Sequence, residues 1–508
     1  MNLNPTSARS EVAPAYTRSA AAAAPSAPSQ EATDSVQLGG SSAPASSGDV
    51  KLNPRELGEK QFADSFGRVT NLALMLSPYA GGRARSQMLN AYKTLFNKME
   101  PDTKFTITVQ TEGDRKDIQK AIKDSGCPNP ERITFIKPDV GGLTVWARDM
   151  MVPLQLTNDK DHVALLGQQP LHDWHDNDKA VPVFISKANP TILLDDDKSL
   201  VTDGGDVMAN TKESFVGYYS LSATAQKLSK TVESDRALEA RFVETYEQAT
   251  GKHVVDEGRA VVFPFVREER SDAAENPTAL SWHLAANPEF KQTRMAEGQV
   301  TKAEMYEDVA TQMFSQKFGK PVTVLGKDDP ATAHHEEPAS DHMDMGCTPI
   351  DDNTFFVGDP SLAKKIVASM TVAERKDAEA KLSEAAGRPI SLTPDRNRDN
   401  QEDFDAYEST LKEKGYNVLR LPHLEPSGIS RSYLSYNNCL MERFTREDGT
   451  DVRRVFLPVY DIPKLDDAAT QIWNSQGFEV IPMPLSGLSE RWGALRCVSN
   501  WLERSPQG

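Results

Sequence analysis

The stretch SDHMDMGCTP at 340–349 crowds Asp341, His342, Asp344 and Cys347 together, with His334, His335, Glu336 and Glu337 just upstream. Such a set could ligate a metal, pair a thiol nucleophile with its histidine, or form a polar strand with no chemistry. Spacing disfavours the metal. A zinc site on one element uses i, i+4 helical spacing, whereas adjacent histidines diverge on helix or strand, and Pro338 interrupts any helix. We assign no metal and no cofactor, and read 334–337 as a mobile loop flanking the pocket. The acidic run LDDDK at 194–198 lacks EF-hand spacing and reads as a solvated turn.

Three further places carry unusual polar residues beside apolar runs: Trp146-Ala147-Arg148-Asp149, Asp203-Gly204-Gly205-Asp206, and Cys497 within ERWGALRCVSNWLER. If H-x-D lies on a strand, its period of two puts His342 and Asp344 on one face and Met343 on the other. Cys347 then points away from the Asp344 face and reads as a buried structural thiol. Cys439 and Cys127 read the same way. Taken alone, the Asp203–Asp206 segment is ordinary hairpin chemistry.

The elements that must position these residues form a mixed α/β pattern. Strand-like runs include FTITVQ (105), ITFIK (133), LTVWARDMMVPL (143), HVALLG (162), VPVFIS (181), TILLD (191) and ESFVGYY (213). They continue with PVTVLG (321), TFFVGD (354), NVLRLP (417), RRVFLPVY (453) and FEVIPMP (478). Helices fall between them. In 371–387, Thr371 and Glu374 make a capping box and Gly387 stops the helix. The span 222–250 reads as helix and 268–318 as a helical, charged insertion. An echo links DGGDVMANTKESFVG (203–217), DHMDMGCTPIDDNTFFVG (341–358) and SYNNCLMERFTREDGTDVRRVFLP (435–458): polar motif, strand, turn, returning strand. Asp448-Gly449 would be the hairpin turn of the last. Three such units suggest a repeat whose loops converge on one site.

The chain of 508 residues carries a net charge of −17, which argues against nucleic-acid binding, and no apolar run is long enough to span a bilayer. Four scattered cysteines read as free thiols. Residues 1–52 are rich in Ser, Ala and Pro and read as a disordered leader without a Sec signal, followed by one domain over 53–508. The leader resembles the export signals of bacterial type III effectors, which implies secretion into a host cell; otherwise the protein is cytoplasmic.

Together and in order, the four motifs resemble the guanidine-modifying enzyme (pentein) superfamily of arginine, agmatine and peptidylarginine deiminases and dimethylarginine dimethylaminohydrolase. The resemblance spans roughly 100–503, with 222–320 fitting poorly. It implies a five-bladed, pseudo-symmetric α/β propeller with a helical insertion around 222–320. WARDMMVPL is similar to the family's W-x-R-D segment, so that Trp146, Arg148 and Asp149 would line the site, with Asp149 gripping a guanidinium. DGGDV is similar to the second acidic motif and contributes Asp203 and Asp206. HMDMGCTP supplies His342 as catalytic histidine and Asp344 as a second guanidinium carboxylate. GALRCVSN supplies Cys497 as nucleophile, its C-x-S-N being closest to the peptidylarginine form. The chain departs from the family in lacking a glycine-rich run before that cysteine. Arg496 stands where arginine deiminases also have arginine, and would contact a substrate carboxylate or the thiolate, or be a surface charge.

The implied chemistry is physically coherent. A guanidinium is planar and charged, so paired carboxylates suit it, while its delocalised carbon needs a strong nucleophile such as a thiolate. A bound cation and a nearby His⁺ both favour that thiolate. The expected partner is therefore a guanidino compound, either a free arginine derivative or a protein-bound arginine, with a citrulline-like product and ammonia. Amidino transfer to an amine, or a non-catalytic protein keeping the fold, are the alternatives.

Overall fold

The computed structural model describes residues 52–167, 173–255, 298–327, 342–394, 401–427, 434–489, 491 and 493–505. The leader at 1–51, the loop at 334–337 and the 268–297 part of the insertion lie outside these. Among the described residues no helix is long and apolar enough to cross a membrane.

Among the described residues, five sheets of three or four strands and two two-stranded sheets make up the mixed α/β fold, and each of the five repeats one pattern. A first strand pairs antiparallel with a second, which pairs in parallel with a third. A parallel pair cannot be closed by a tight turn, so helices must fill the second connection. In the first sheet the three strands are Ser499–Ser505, Arg68–Leu76 and Lys104–Val109, joined across the helix Gly82–Lys98. In the second they are Met151–Leu156, Val163–Gly167 and Ile192–Asp195, with the helix Ala180–Ala188. The third has Val207–Ala209, Ser214–Gly217 and Val322–Leu325. The fourth has Cys347–Pro349, Thr354–Asp359 and Asn417–Leu424. The fifth has Leu440–Thr445, Asp451–Val459 and Glu479–Pro484, with the helix Pro463–Ser475.

This pattern explains the region that fits no family segment. The helices Tyr218–Val232, Arg236–Thr250 and Lys302–Phe318 all belong to the crossover of the third sheet. Buried Tyr218, Leu221, Ala225, Met305, Phe314 and Phe318 pack there with Val207 and Val216. The described helices of the insertion thus enlarge a connection that every unit possesses.

Local sequence accounts for most elements. Thr371 caps Val372–Ala386 with Glu374 closing the box, and Gly387 ends it at φ 68°. The Asp448-Gly449 turn joins antiparallel strands, with Gly449 at φ 85° and Thr450 N–H donating to Asp448 Oδ1 at 2.9 Å. All three echo segments fold as antiparallel hairpins.

The expected strand VPVFIS is instead helical. Val181 and Ile185 bury one face at i, i+4, and Pro182 lies in the first turn, where its missing N–H costs nothing. The LDDDK run is not a solvated turn either, because Asp195 is buried. Lys317 Nζ sits 2.7 Å from Asp195 Oδ2, 2.8 Å from Glu59 Oε2 and 3.0 Å from Asp197 Oδ2, so a lysine is the cation that this acidic cluster surrounds. Burial raises the Glu59 carboxyl to about 7, even with Lys317 beside it.

Candidate active site

The segment that precedes the first strand of each sheet is polar, buried and in contact with the others. The WARD segment ends just before Met151, and the single turn Gly204–Asp206 precedes Val207. His342 and the turn Met343–Gly346 precede Cys347. Asn437 and Asn438 come before Leu440, and Arg496 and Cys497 before Ser499. The H-x-D motif is therefore not a strand. His342 is the extended N-cap of one helical turn, which carries Asp344, and Cys347 begins the strand beyond it, buried and with its thiol toward Met343 O at 3.7 Å.

His342 lies between two carboxylates, with Nε2 3.3 Å from Asp203 Oδ2 and Nδ1 3.6 Å from Asp149 Oδ1. Burial disfavours a charged ring, but Asp149, Asp203 and Asp344 outweigh it and hold the imidazolium well above the usual range. Glycine makes this packing possible. A Cβ on Gly205 would lie 2.5 Å from His342 Nδ1 and 3.1 Å from Asp149 Oδ1. Gly205→Ala should displace the ring and lower the His342 pKa, which an imidazole NMR titration would read, while the circular dichroism spectrum stays that of the parent.

Arg496 is buried and holds three units together. Its Nε and Nη2 donate to Asp64 Oδ1 at 3.2 and 2.9 Å, and Nη1 donates to Asp344 Oδ2 at 2.5 Å. Nη1 also reaches Gly204 O at 3.4 Å, and Nη2 reaches Val207 O at 2.9 Å. Those contacts engage all the donors a guanidinium has. Burial opposes its charge, yet Asp64 and Asp344 raise its pKa further. The guanidinium is thus an internal brace, neither a surface charge nor a group pointing at the thiol. Asp344 Oδ1, by contrast, is buried with no hydrogen-bond partner among the described residues.

Cys497 is buried beside Asn438, whose Nδ2 lies 3.1 Å from Sγ. Burial pushes the thiol pKa well up, and Asp344 and Asp149 push it further. The Asn438 amide and the Ala494 N–H act in the opposite sense. The carbonyl of Cys497 accepts from Arg148 N at 3.0 Å, joining the thiol turn to the WARD turn. Asn500 Nδ2 supports that turn through Ala147, Arg148 and Met151 carbonyls at 3.2, 3.4 and 3.0 Å. Gly493 lets the Trp146 indole approach, since a Cβ there would meet Trp146 Cζ3 at 2.4 Å and Cys497 Cβ at 3.1 Å.

Two expected site residues face elsewhere. Arg148 stacks on Trp501, 3.8 Å from the ring centroid, with Arg504 and Arg496 over the same indole at 4.5 and 5.4 Å. Burial and then Arg496 push its guanidinium pKa well down. Asp206 accepts from Ser220 N at 3.0 Å and Met343 N at 3.4 Å, tying two turns together, and burial raises it to about 6.

Sequence reasoning missed Asp64, Asn438 and Asn500 as site-forming residues. Asn438 had a usable signal, since it stands in the third echo segment at the place that holds polar residues in the others. Asn500 closes the C-x-S-N motif. Asp64, in an unremarkable QFADSFG run, had none.

No family model and no curated protein matches the chain. Solved structures do. A candidate arginine deiminase from Porphyromonas gingivalis is 13% identical and superposes with a TM-score of 0.51, covering 89% of this chain and 99% of its own. A candidate agmatine deiminase is 12% identical with a TM-score of 0.50, over 89% and 98%. At these identities the likeness concerns architecture: the chain has the fold of the guanidine-modifying enzyme superfamily.

Proposed function

We propose that the protein hydrolyses a guanidino group to a ureido group and ammonia through a covalent intermediate on Cys497. One observation carries this reading: a buried thiol and a partly buried, charged histidine share their surroundings with Asp344, one of whose carboxylate oxygens is buried without a donor among the described residues. Asp149 and Asp203 flank the imidazolium, Asp64 and Asp344 flank the Arg496 guanidinium, and Asp344 Oδ1 has no donor among the described residues. A planar cation with N–H donors satisfies that deficit. The fold relatives described as arginine and agmatine deiminases support the same class.

In this reading, Asp149 and Asp344 hold the guanidinium with its carbon near Sγ, and the cation's arrival favours the thiolate that the free site suppresses. The thiolate adds to the carbon, and His342 gives its proton to the departing nitrogen, which leaves as ammonia. A cationic thiouronium remains. Neutral His342 then takes a proton from water, whose oxygen bonds to the carbon. The C–S bond breaks with its electron pair on sulfur, and one proton passes to the released ammonia.

The expected pH dependence follows from the two raised pKa values. In the free protein kcat/KM rises as Cys497 ionises above its ordinary range. It falls only when His342 loses its proton, also above its ordinary range. The optimum should therefore lie on the alkaline side of neutrality, which a profile from about pH 6 to about pH 10 would check.

The same reading takes the five repeated sheets as blades of a closed five-bladed propeller, and protein-bound arginine as the substrate. It also has the Ser-, Ala- and Pro-rich leader at 1–52 serve delivery into a host cell, a role its composition supports. The testing experiment is ureido formation from free arginine, agmatine, methylated arginines and an arginine-containing protein mixture. The preferred panel member names the substrate. Amidinated acceptor without ammonia would replace hydrolysis by transfer, and no product of either kind would leave a binding protein that kept the site.

A further inference from the structure

We propose that Asn438 is the fifth unit's contribution to the chemistry, donating from its side-chain amide to Cys497 Sγ and stabilising the sulfur as an anion. The inference rests on Cys497 being the nucleophile.

The orientation of the amide is fixed by its other contacts. Oδ1 accepts from Arg496 N at 2.9 Å and from Cys497 N at 3.2 Å, so a flipped amide would set NH₂ against two N–H donors. Nδ2 is therefore the atom left facing sulfur at 3.1 Å. Asn438 is wholly buried, and its neighbour is held as well. Asn437 Nδ2 donates to Gly346 O at 3.1 Å, and Asn437 O accepts from Thr348 Oγ1 at 2.6 Å and Cys439 N at 2.8 Å. The donor is thus rigid and aimed before any substrate arrives.

An amide N–H can only donate, so it interacts more strongly with a thiolate than with a thiol. The carboxylates around the sulfur act the other way, and the cations near it have carboxylate partners of their own. Asp149 from the second sheet and Asp344 from the fourth oppose the anion. Tyr460, at the end of the fifth sheet's middle strand, donates its hydroxyl to Ser435 O at 2.7 Å. Arg496 is engaged by Asp64 and Asp344, and His342 lies between Asp149 and Asp203. Besides favouring the attacking thiolate, the Asn438 amide favours its expulsion when the C–S bond of the thiouronium breaks and the electron pair returns to sulfur.

The test is the pH titration of Cys497 by ultraviolet thiolate absorbance, taken as the difference from Cys497→Ala. Asn438→Asp keeps an oxygen for the two backbone N–H groups and replaces the donor with an acceptor. The midpoint should rise by about one pH unit or more, making the thiolate roughly tenfold scarcer at a given lower pH. Asn438→Ala, which removes the donor without adding charge, should move it in the same direction. Midpoints equal to that of the parent in both variants would overturn the proposal and leave Asn438 a brace for the turn. No substrate is needed, so a parent protein without ureido product would defeat the functional reading and leave this result standing.

Discussion

If the proposed hydrolysis runs through Cys497, Cys497→Ala should abolish ureido formation from whichever guanidine the parent prefers, a fall of roughly 10⁴-fold or more in kcat/KM. The size of the effect follows from the electrophile. A guanidinium carbon shares its charge with three nitrogens, and water held nearby cannot substitute for a sulfur that bonds to it. The variant should still fold, because removing a buried thiol side chain leaves Arg148 N on the Cys497 carbonyl and the two backbone N–H groups on Asn438 Oδ1. It should also still bind the guanidine, since Asp149, Asp344 and His342 are untouched. Binding without turnover, seen by calorimetry beside a colorimetric ureido assay, is the expected pair of results. Full turnover in the variant would place the nucleophile elsewhere, and Cys347 is a poor substitute because its thiol faces Met343 O from inside the fourth sheet.

The second large effect is on stability. Arg496→Met should cost about 3–5 kcal/mol, because Asp64 and Asp344 would remain buried without their shared cation. A denaturant titration should show a lower midpoint with little change in slope. Arg496→Lys should recover only part of the loss, since one ammonium cannot reproduce the fork that meets Asp64, Asp344, Gly204 O and Val207 O together. Combining Arg496→Met with Asp64→Asn and Asp344→Asn should restore much of the stability while leaving activity absent, which separates the brace from the chemistry. Stability equal to the parent in the single variant would show that the acids neutralise themselves by protonation.

How far the sequence reveals this molecule depends on whether a residue's role is local. Capping boxes and hairpin turns are local, and Thr371, Glu374, Gly387 and Gly449 behave as their types dictate. The repeat was legible from three echo segments, but the antiparallel pair of the first sheet was not, because its two strands lie far apart in sequence. The Arg68–Leu76 run is buried along almost its whole length and so shows no clean alternation, while Ser499–Ser505 carries Asn500 and Arg504 inward to bond backbone carbonyls. His342, Cys497 and the three aspartates near them could be singled out as residues, yet their surroundings could not. The helical turn under Asp344, the pairing of Arg496 with Asp64, and the amide of Asn438 all depend on chain segments far apart in sequence.

The pairing of Ser499–Ser505 with Arg68–Leu76 has a consequence for synthesis. Translation proceeds from the Asp64 end, so the repeated units can collapse one after another as they emerge. The thiol and the strand that locks it beside Trp146 emerge after the other motifs. A nascent chain stalled before Cys497 therefore contains the acids and the histidine but not the thiol that the proposed function needs. Under the proposed function, activity would wait for that pairing, a long-range contact expected to form slowly, and intermediates stalled before it should bind the cation without altering it.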